Sequence, residues 1–168
     1  MASYGKQYGS TYGVRELVRQ IEAAPMFDDG GKLTLRQLTT QFRDIFRRSE
    51  YSKLQVLGAT TSGEKYLSMN IRSEVKSAVG PWNYQTWIVL RRRDLNNPFT
   101  MDSPAEIRCT CPAFHYFVAY ADWTRKNLAG RPSSWNKVAA PIRNPRTIPS
   151  PCKHLVALTF HAIRKGII

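Results

Sequence analysis

Ala105-Glu-Ile-Arg-Cys-Thr-Cys-Pro-Ala-Phe114 carries a C-x-C pair, Cys109 and Cys111. After an interval of forty residues, Pro151-Cys152-Lys153-His154-Leu155 carries a C-x-H pair. The chain has 168 residues and three cysteines, and all three fall in this pattern. Three thiols and one imidazole complete the ligand set of a closed tetrahedral Cys3His zinc site. Residues two apart on a strand point to one face, so a C-x-C at a strand end aims both thiols the same way. The first turn of a helix supplies the second pair, and its dipole favours thiolate there. Cys109, Cys111, Cys152 and His154 therefore read as the ligands of one structural Zn2+, with no open position for catalysis. The competing reading is a cysteine-lined core, since free cysteines are commonly buried. His115 and His161 are the substitute ligands. His161 lies two turns beyond His154 and reads better as a core or surface residue.

Outward from that pattern the chain reads as α+β: an N-terminal helix pair, a small antiparallel sheet and a zinc-stapled strand/helix C-terminal half. Residues 1–10 are polar and Tyr/Gly-rich, and read as an arm that is flexible or ordered by a partner. Val14, Leu17, Val18 and Ile21 form one apolar stripe and predict a helix over 11–24. Asp28-Asp29 stands beside Gly30-Gly31 and reads as turn chemistry, not as a catalytic carboxylate pair. Thr34 with Gln37 makes a capping box for a second helix, with Leu35, Leu38, Phe42, Ile45 and Phe46 inward. Arg36, Arg43, Arg47 and Arg48 fall off that face or at its end.

From Leu54 the period changes to two. Strands are expected over 54–60, 65–75, 82–92 and 105–110, with turns at Gly80-Pro81 and Asn96-Asn97-Pro98. Residues 113–127 predict an aromatic-rich helix, and residues 131–151, with five prolines, an irregular segment. The last helix runs from about Cys152 to Lys165. This divides the chain into the arm (1–10), a helical segment (11–52) and a hairpin-plus-metal unit (53–168) containing a 112–151 insert.

Net charge is +13. Residues 1–50 hold eight Lys/Arg against six Asp/Glu, and the rest hold seventeen against six, so the excess of eleven lies after residue 50. Such a surplus points to phosphate, acidic protein or anionic lipid as a contact. Arg91-Arg92-Arg93 is one candidate phosphate contact, with a solvated strand end as the alternative. Arg125, Lys126, Arg131, Lys137, Arg143 and Arg146, interleaved with Trp123 and Trp135, suit either nucleic acid or a protein interface. No signal-peptide pattern is visible and no apolar run is long enough to span a bilayer. With an odd cysteine count, this places folding in a reducing compartment, the cytoplasm of the producing cell. No P-loop, nucleophile elbow or H-E-x-x-H is present, so no enzyme activity is expected.

The pattern resembles the SWIM-type zinc finger. The likeness extends beyond the four residues: a strand pair precedes C-x-C, Cys111-Pro112-Ala113-Phe114 follows it, and Cys152-Lys153-His154 opens a helix. It spans roughly residues 65–165. The interval between the two pairs is longer here than is usual in that family. The resemblance implies Cys109, Cys111, Cys152 and His154 as ligands, and a role in contacting DNA or protein. A compact C-x-C/C-x-H chain with this insert also resembles a minor virion component of a tailed phage (head, neck or tail). The expectation is a non-enzymatic adaptor acting by protein–protein contacts in a larger assembly. The alternative is a module that contacts nucleic acid through its basic C-terminal half.

Overall fold

Thr34 begins the first described helix for a local reason. Its hydroxyl accepts the Gln37 amide, and the Gln37 side chain accepts the Thr34 amide, so two otherwise orphaned donors are satisfied. The computed structural model describes residues 31–46, 50–78, 80–131, 144 and 146–168. The expected arm (1–10), first helix (11–24), Asp28-Asp29 turn, Arg47, Arg48, Trp135, Lys137 and Arg143 lie outside the described residues, as do the side chains of Arg43 and Ile45.

In chain order the elements are α1 (Leu35–Ile45), β1 (Val56–Ser62), β2 (Ser68–Lys76), β3 (Asn83–Arg91), β4 (Ala105–Cys109), a π-helical turn (Phe114–Val118) running into α2 (Ala119–Thr124), and α3 (Lys153–Arg164). The four strands form an antiparallel meander in the order β1-β2-β3-β4, so the fold is α+β. Ile71 pairs with Ile88 and Ile88 with Ile107, a row repeated by Met69, Leu90 and Ala105. That face packs against α3, which touches all four strands. Residues 154–159 of α3 are buried on every side. Leu35 and Leu38 of α1 join the same core, with Phe114, Leu155 and Leu158.

Aromatic rings tie the helices together. Phe117 lies 5.7 Å from Phe46, Phe46 5.3 Å from Phe42, Phe42 5.9 Å from Tyr51, and Tyr51 stacks on Phe160 at 5.1 Å. Such offset and edge contacts add to the area each ring buries.

The edges of the sheet are treated unequally. β4 is covered twice. Thr34 bridges Pro104 and the Ala105 amide donates to Leu33 O. Further along, Ile107 bridges Leu128, with the Ile107 amide donating to Asn127 O. The Asn127 side chain locks this arrangement, accepting from the Leu33 amide and donating to Leu33 O and Ala105 O. β1 forms the other edge and carries a bulge between Leu57 and Thr60.

Three boundaries differ from the sequence reading. β1 starts at Val56 because the Leu54 amide donates to Tyr51 O and holds 51–54 in a turn. β2 starts at Ser68 because 63–66 is a turn closed by the Tyr66 amide on Gly63 O. At Gly63 (φ +87°) a Cβ would meet Ser68 O, so the turn requires glycine. The helix expected over 113–127 begins as a π turn and ends at Thr124. Lys126, at φ 60°, redirects the chain so that Asn127 can reach β4.

The arginine triplet is also resolved. Arg91 is buried and donates to Glu106 at 3.0 and 3.2 Å, while Lys32 approaches Glu106 at 3.6 Å. Arg92 donates to Tyr66 O, Asn97 O and Glu64 O and lies over the Phe99 ring. Both are committed within the fold, which corrects the reading of them as phosphate contacts. Among the described residues no helix is long and apolar enough to cross a membrane.

Candidate metal centre

Register decides where Cys109 points. Cys109 pairs with Thr86, and Thr86 with Ser73, which places its side chain on the α3 side of the sheet. The ladder runs one residue further, with the Thr110 amide on Gln85 O and the Gln85 amide on Thr110 Oγ1. The chain then turns at Cys111 into the π turn. Pro151 and Cys152 deliver His154 in the first turn of α3, directly beneath.

The four residues predicted from the sequence converge. Cys109, Cys111, Cys152 and His154 are all buried, and one ligand atom from each lies within 4.8 Å of the others. His154 Nδ1 is 4.0 Å from Cys109 Sγ and 3.8 Å from Cys152 Sγ. A tetrahedron with metal–sulfur bonds of ~2.3 Å and a metal–nitrogen bond of ~2.0 Å has edges of about 3.5–3.8 Å. The observed spacing therefore suits one ion with only small inward adjustment. The donor set, three soft sulfurs and one imidazole, selects zinc over hard cations.

Backbone amides support the thiols. The Cys111 amide donates to Cys109 Sγ at 3.4 Å, and the Phe114 amide to Cys111 Sγ at 3.3 Å. Such bonds favour thiolate. Without a cation, however, the three thiols compete for one easy ionisation. Burial pushes Cys109 up, and hydrogen bonds and charge from Cys111 and Cys152 raise it further. Burial also raises Cys152. Burial opposes ionisation of Cys111 as well, but hydrogen bonds from Cys109, Cys152 and the Phe114 amide, with the Lys153 charge, carry it well below the usual range. A divalent cation removes the competition and allows all three to be thiolates.

The Tyr84 ring lies 4.8 Å from the His154 ring at 55°. Among the described residues His154 Nε2, which is buried, has no hydrogen-bond partner. Asp122 is fully buried; its Oδ1 accepts the Ser150 amide at 2.9 Å, and its Oδ2 has no partner among the described residues. Neither Tyr84 nor Asp122 was apparent from the sequence. Tyr84 carried a signal, since it shares the alternation of β3 with Thr86 and Ile88, whereas Asp122 carried none. The substitute histidines stand apart from the cluster. His115 is buried on the π turn, where burial first and the Arg108 charge second hold its pKa down at about 4. His161 lies near the far end of α3.

Residues 84–121 match the SWIM zinc finger family. The SWIM segment thus covers β3, β4, both residues of C-x-C and the turn into α2, and stops before Cys152 and His154. The folded structure brings those two in. The SWIM match and the compact Cys3His cluster together fit one structural zinc ion. No curated protein and no solved structure matches the chain. The SWIM family suggests a zinc-binding module that contacts protein or nucleic acid, and nothing in the match points to a tailed phage.

Proposed function

We propose that the chain is a zinc-stabilised binding module without catalytic activity, in which Cys109, Cys111, Cys152 and His154 hold one zinc ion. Its C-terminal surface docks on a polyanion, with nucleic acid as the partner class. The observation that carries this reading is the sign of the exposed charge. After Asp102 the chain has two acidic residues, Glu106 and Asp122, and both are buried. Arg125, Lys126, Arg131, Arg146, Arg164 and Lys165 are exposed in the same stretch. A stretch whose described exposed side chains carry charge of one sign attracts phosphate at long range and releases counterions on contact. The test is binding of zinc-loaded protein to duplex and single-stranded DNA against salt. We expect log affinity to fall linearly with log salt, and Arg125→Glu with Lys126→Glu to flatten that slope. Absence of binding at moderate salt would sink this reading.

The second reading, a subunit of a larger protein assembly such as a tailed-phage virion, is favoured by a different observation. Trp82 is 48% exposed, and Trp123, Phe160 and Ile163 are each 39% exposed. Aromatic side chains are enriched as interface anchors. On this reading the module is made in the cytoplasm and then built into the particle. Loss of co-purifying partner proteins from Trp82→Ala and Trp123→Ala variants, with DNA binding absent, would select it.

A further inference from the structure

The sheet has one edge covered twice, by residues 33–34 and 127–129, and one edge open. No described residue pairs with the outer side of β1, and Gly58, Thr60, Thr61 and Ser62 are exposed. Sheet edges are usually blunted by lysine, proline or an inward charge. β1 reads Val-Leu-Gly-Ala-Thr-Thr-Ser, with none of these over seven residues. Its one irregularity is the bulge at Gly58-Ala59.

We propose that the β1 edge pairs antiparallel with the β1 edge of a second copy of this chain, about a two-fold axis. The charges that flank the strand favour this occupant. Lys53 stands just before β1 and Glu64 just after it, and both are exposed. Antiparallel pairing brings the Lys53 end of one copy to the Glu64 end of the other, and two-fold symmetry makes that contact twice. Parallel pairing would set Lys53 on Lys53 and Glu64 on Glu64. The Glu64 carboxylate is tied to the strand by the Thr61 hydroxyl. Lys53 is held in the free chain by an exposed pair with Glu50 at 3.2 Å, which is weak enough to exchange. At a net charge of +13 most faces of two copies repel. This uncharged edge, flanked at each end by one acid and one base (Glu50 with Lys53, Glu64 with Lys65), is a place where approach is unopposed. The bulge splits the edge into two short runs, Val56-Leu57 and Thr60–Ser62, so the dimer is of the weak, concentration-dependent kind.

The test is sedimentation of the full zinc-loaded chain at low salt, from micromolar to near-millimolar concentration, with amide exchange over residues 56–62. The expected result is a monomer–dimer equilibrium and β1 amides that gain protection as concentration rises. Lys53→Glu and Glu64→Lys should each weaken dimerisation several-fold, and the double swap should restore it. All four proteins carry the same fold, since both positions are exposed. A monomer throughout the range would overturn the proposal. So would β1 protection independent of concentration, which means another segment of the chain covers the edge. Single variants that dimerise like the parent, or a double swap no better than the singles, would also overturn it. If exchange protection appears only with a foreign extended peptide, the edge takes a different occupant and the proposal fails.

Discussion

The Ser150 amide donates to Asp122 Oδ1 over 2.9 Å, joining the approach to the C-x-H pair to the helix that follows C-x-C. Burial pushes the Asp122 carboxyl well above its usual range, and the Ser150 bond only partly opposes this. The fold therefore binds a proton here more tightly than the unfolded chain does. Stability from this group is full below the ordinary carboxylate pKa and declines as pH rises. Asp122→Asn keeps the acceptor and removes the buried charge. In urea denaturation at pH 7.5 it should be at least as stable as the parent, with the advantage shrinking towards pH 4. Asp122→Leu orphans the Ser150 amide and should be less stable than Asp122→Asn by ~1–3 kcal/mol.

Cys152→Ser and His154→Ala should lose the metal and the order of the C-terminal half. Binding free energy of on the order of 10 kcal/mol or more is folding free energy in a site of this kind. Elemental analysis should give about one zinc per chain in the parent and little in the variants, with near-ultraviolet circular dichroism reporting the loss of packing. Parent-like thermal stability of Cys152→Ser would mean that the cluster is not a metal site.

Glu106 pairs with two cations whose side chains are buried, Lys32 and Arg91. Glu106→Ala removes the carboxylate that both cations share and should cost ~3–5 kcal/mol by chemical denaturation. Replacing Lys32, Arg91 and Glu106 together by Met, Met and Leu should recover most of that loss, because the desolvation penalty disappears with the charges.

His115 gives a pH signature. Its folded pKa, about 4, lies below the ordinary 6.5. Between those values the unfolded chain holds a proton that the folded chain does not, so stability falls as pH drops through the window. His115→Gln should lessen that fall. The difference between the two stability curves should grow from about pH 6.5 to about pH 4 and be flat above. Parallel curves throughout would count against a buried neutral imidazole.

Gly63→Ala forces a Cβ against Ser68 O in a left-handed turn, whereas Gly58→Ala, also at positive φ, meets nothing within 4 Å among the described residues. Thermal denaturation should show the Gly63 variant clearly less stable, and the Gly58 variant down by about 1 kcal/mol.

What could be read from the sequence was local. Thr34 and Gln37 sit three apart, and their capping box formed. The alternation of Leu67, Met69 and Ile71 placed β2 to within a few residues. The convergence of Cys109, Cys111, Cys152 and His154 was legible because each pair is two apart and the residue types are specific. Long-range partners were not legible. Arg91 looked exposed because it sits in an arginine triplet. Its burial depends on β3 and β4 lying in a register that brings Glu106, fifteen residues away, within reach. The π turn depends on Cys111, whose sulfur takes the Phe114 amide while its carbonyl takes that of His115. No periodicity in the sequence encodes that double demand. Asp122 needed Ser150 from across the long interval.

The long interval between the C-x-C and C-x-H pairs is tied to β4 at its outgoing end and closed on itself at its return. Arg108 donates to Arg131 O at 2.7 Å on the outgoing side. The Asn144 side chain brackets Ile148 on the return, through Ile148 O and the Ile148 amide. The first bond ties Arg131 to β4, and the second pair closes a local turn within the returning segment. Lengthening, shortening or exchanging that run should leave the sheet, the cluster and α3 intact.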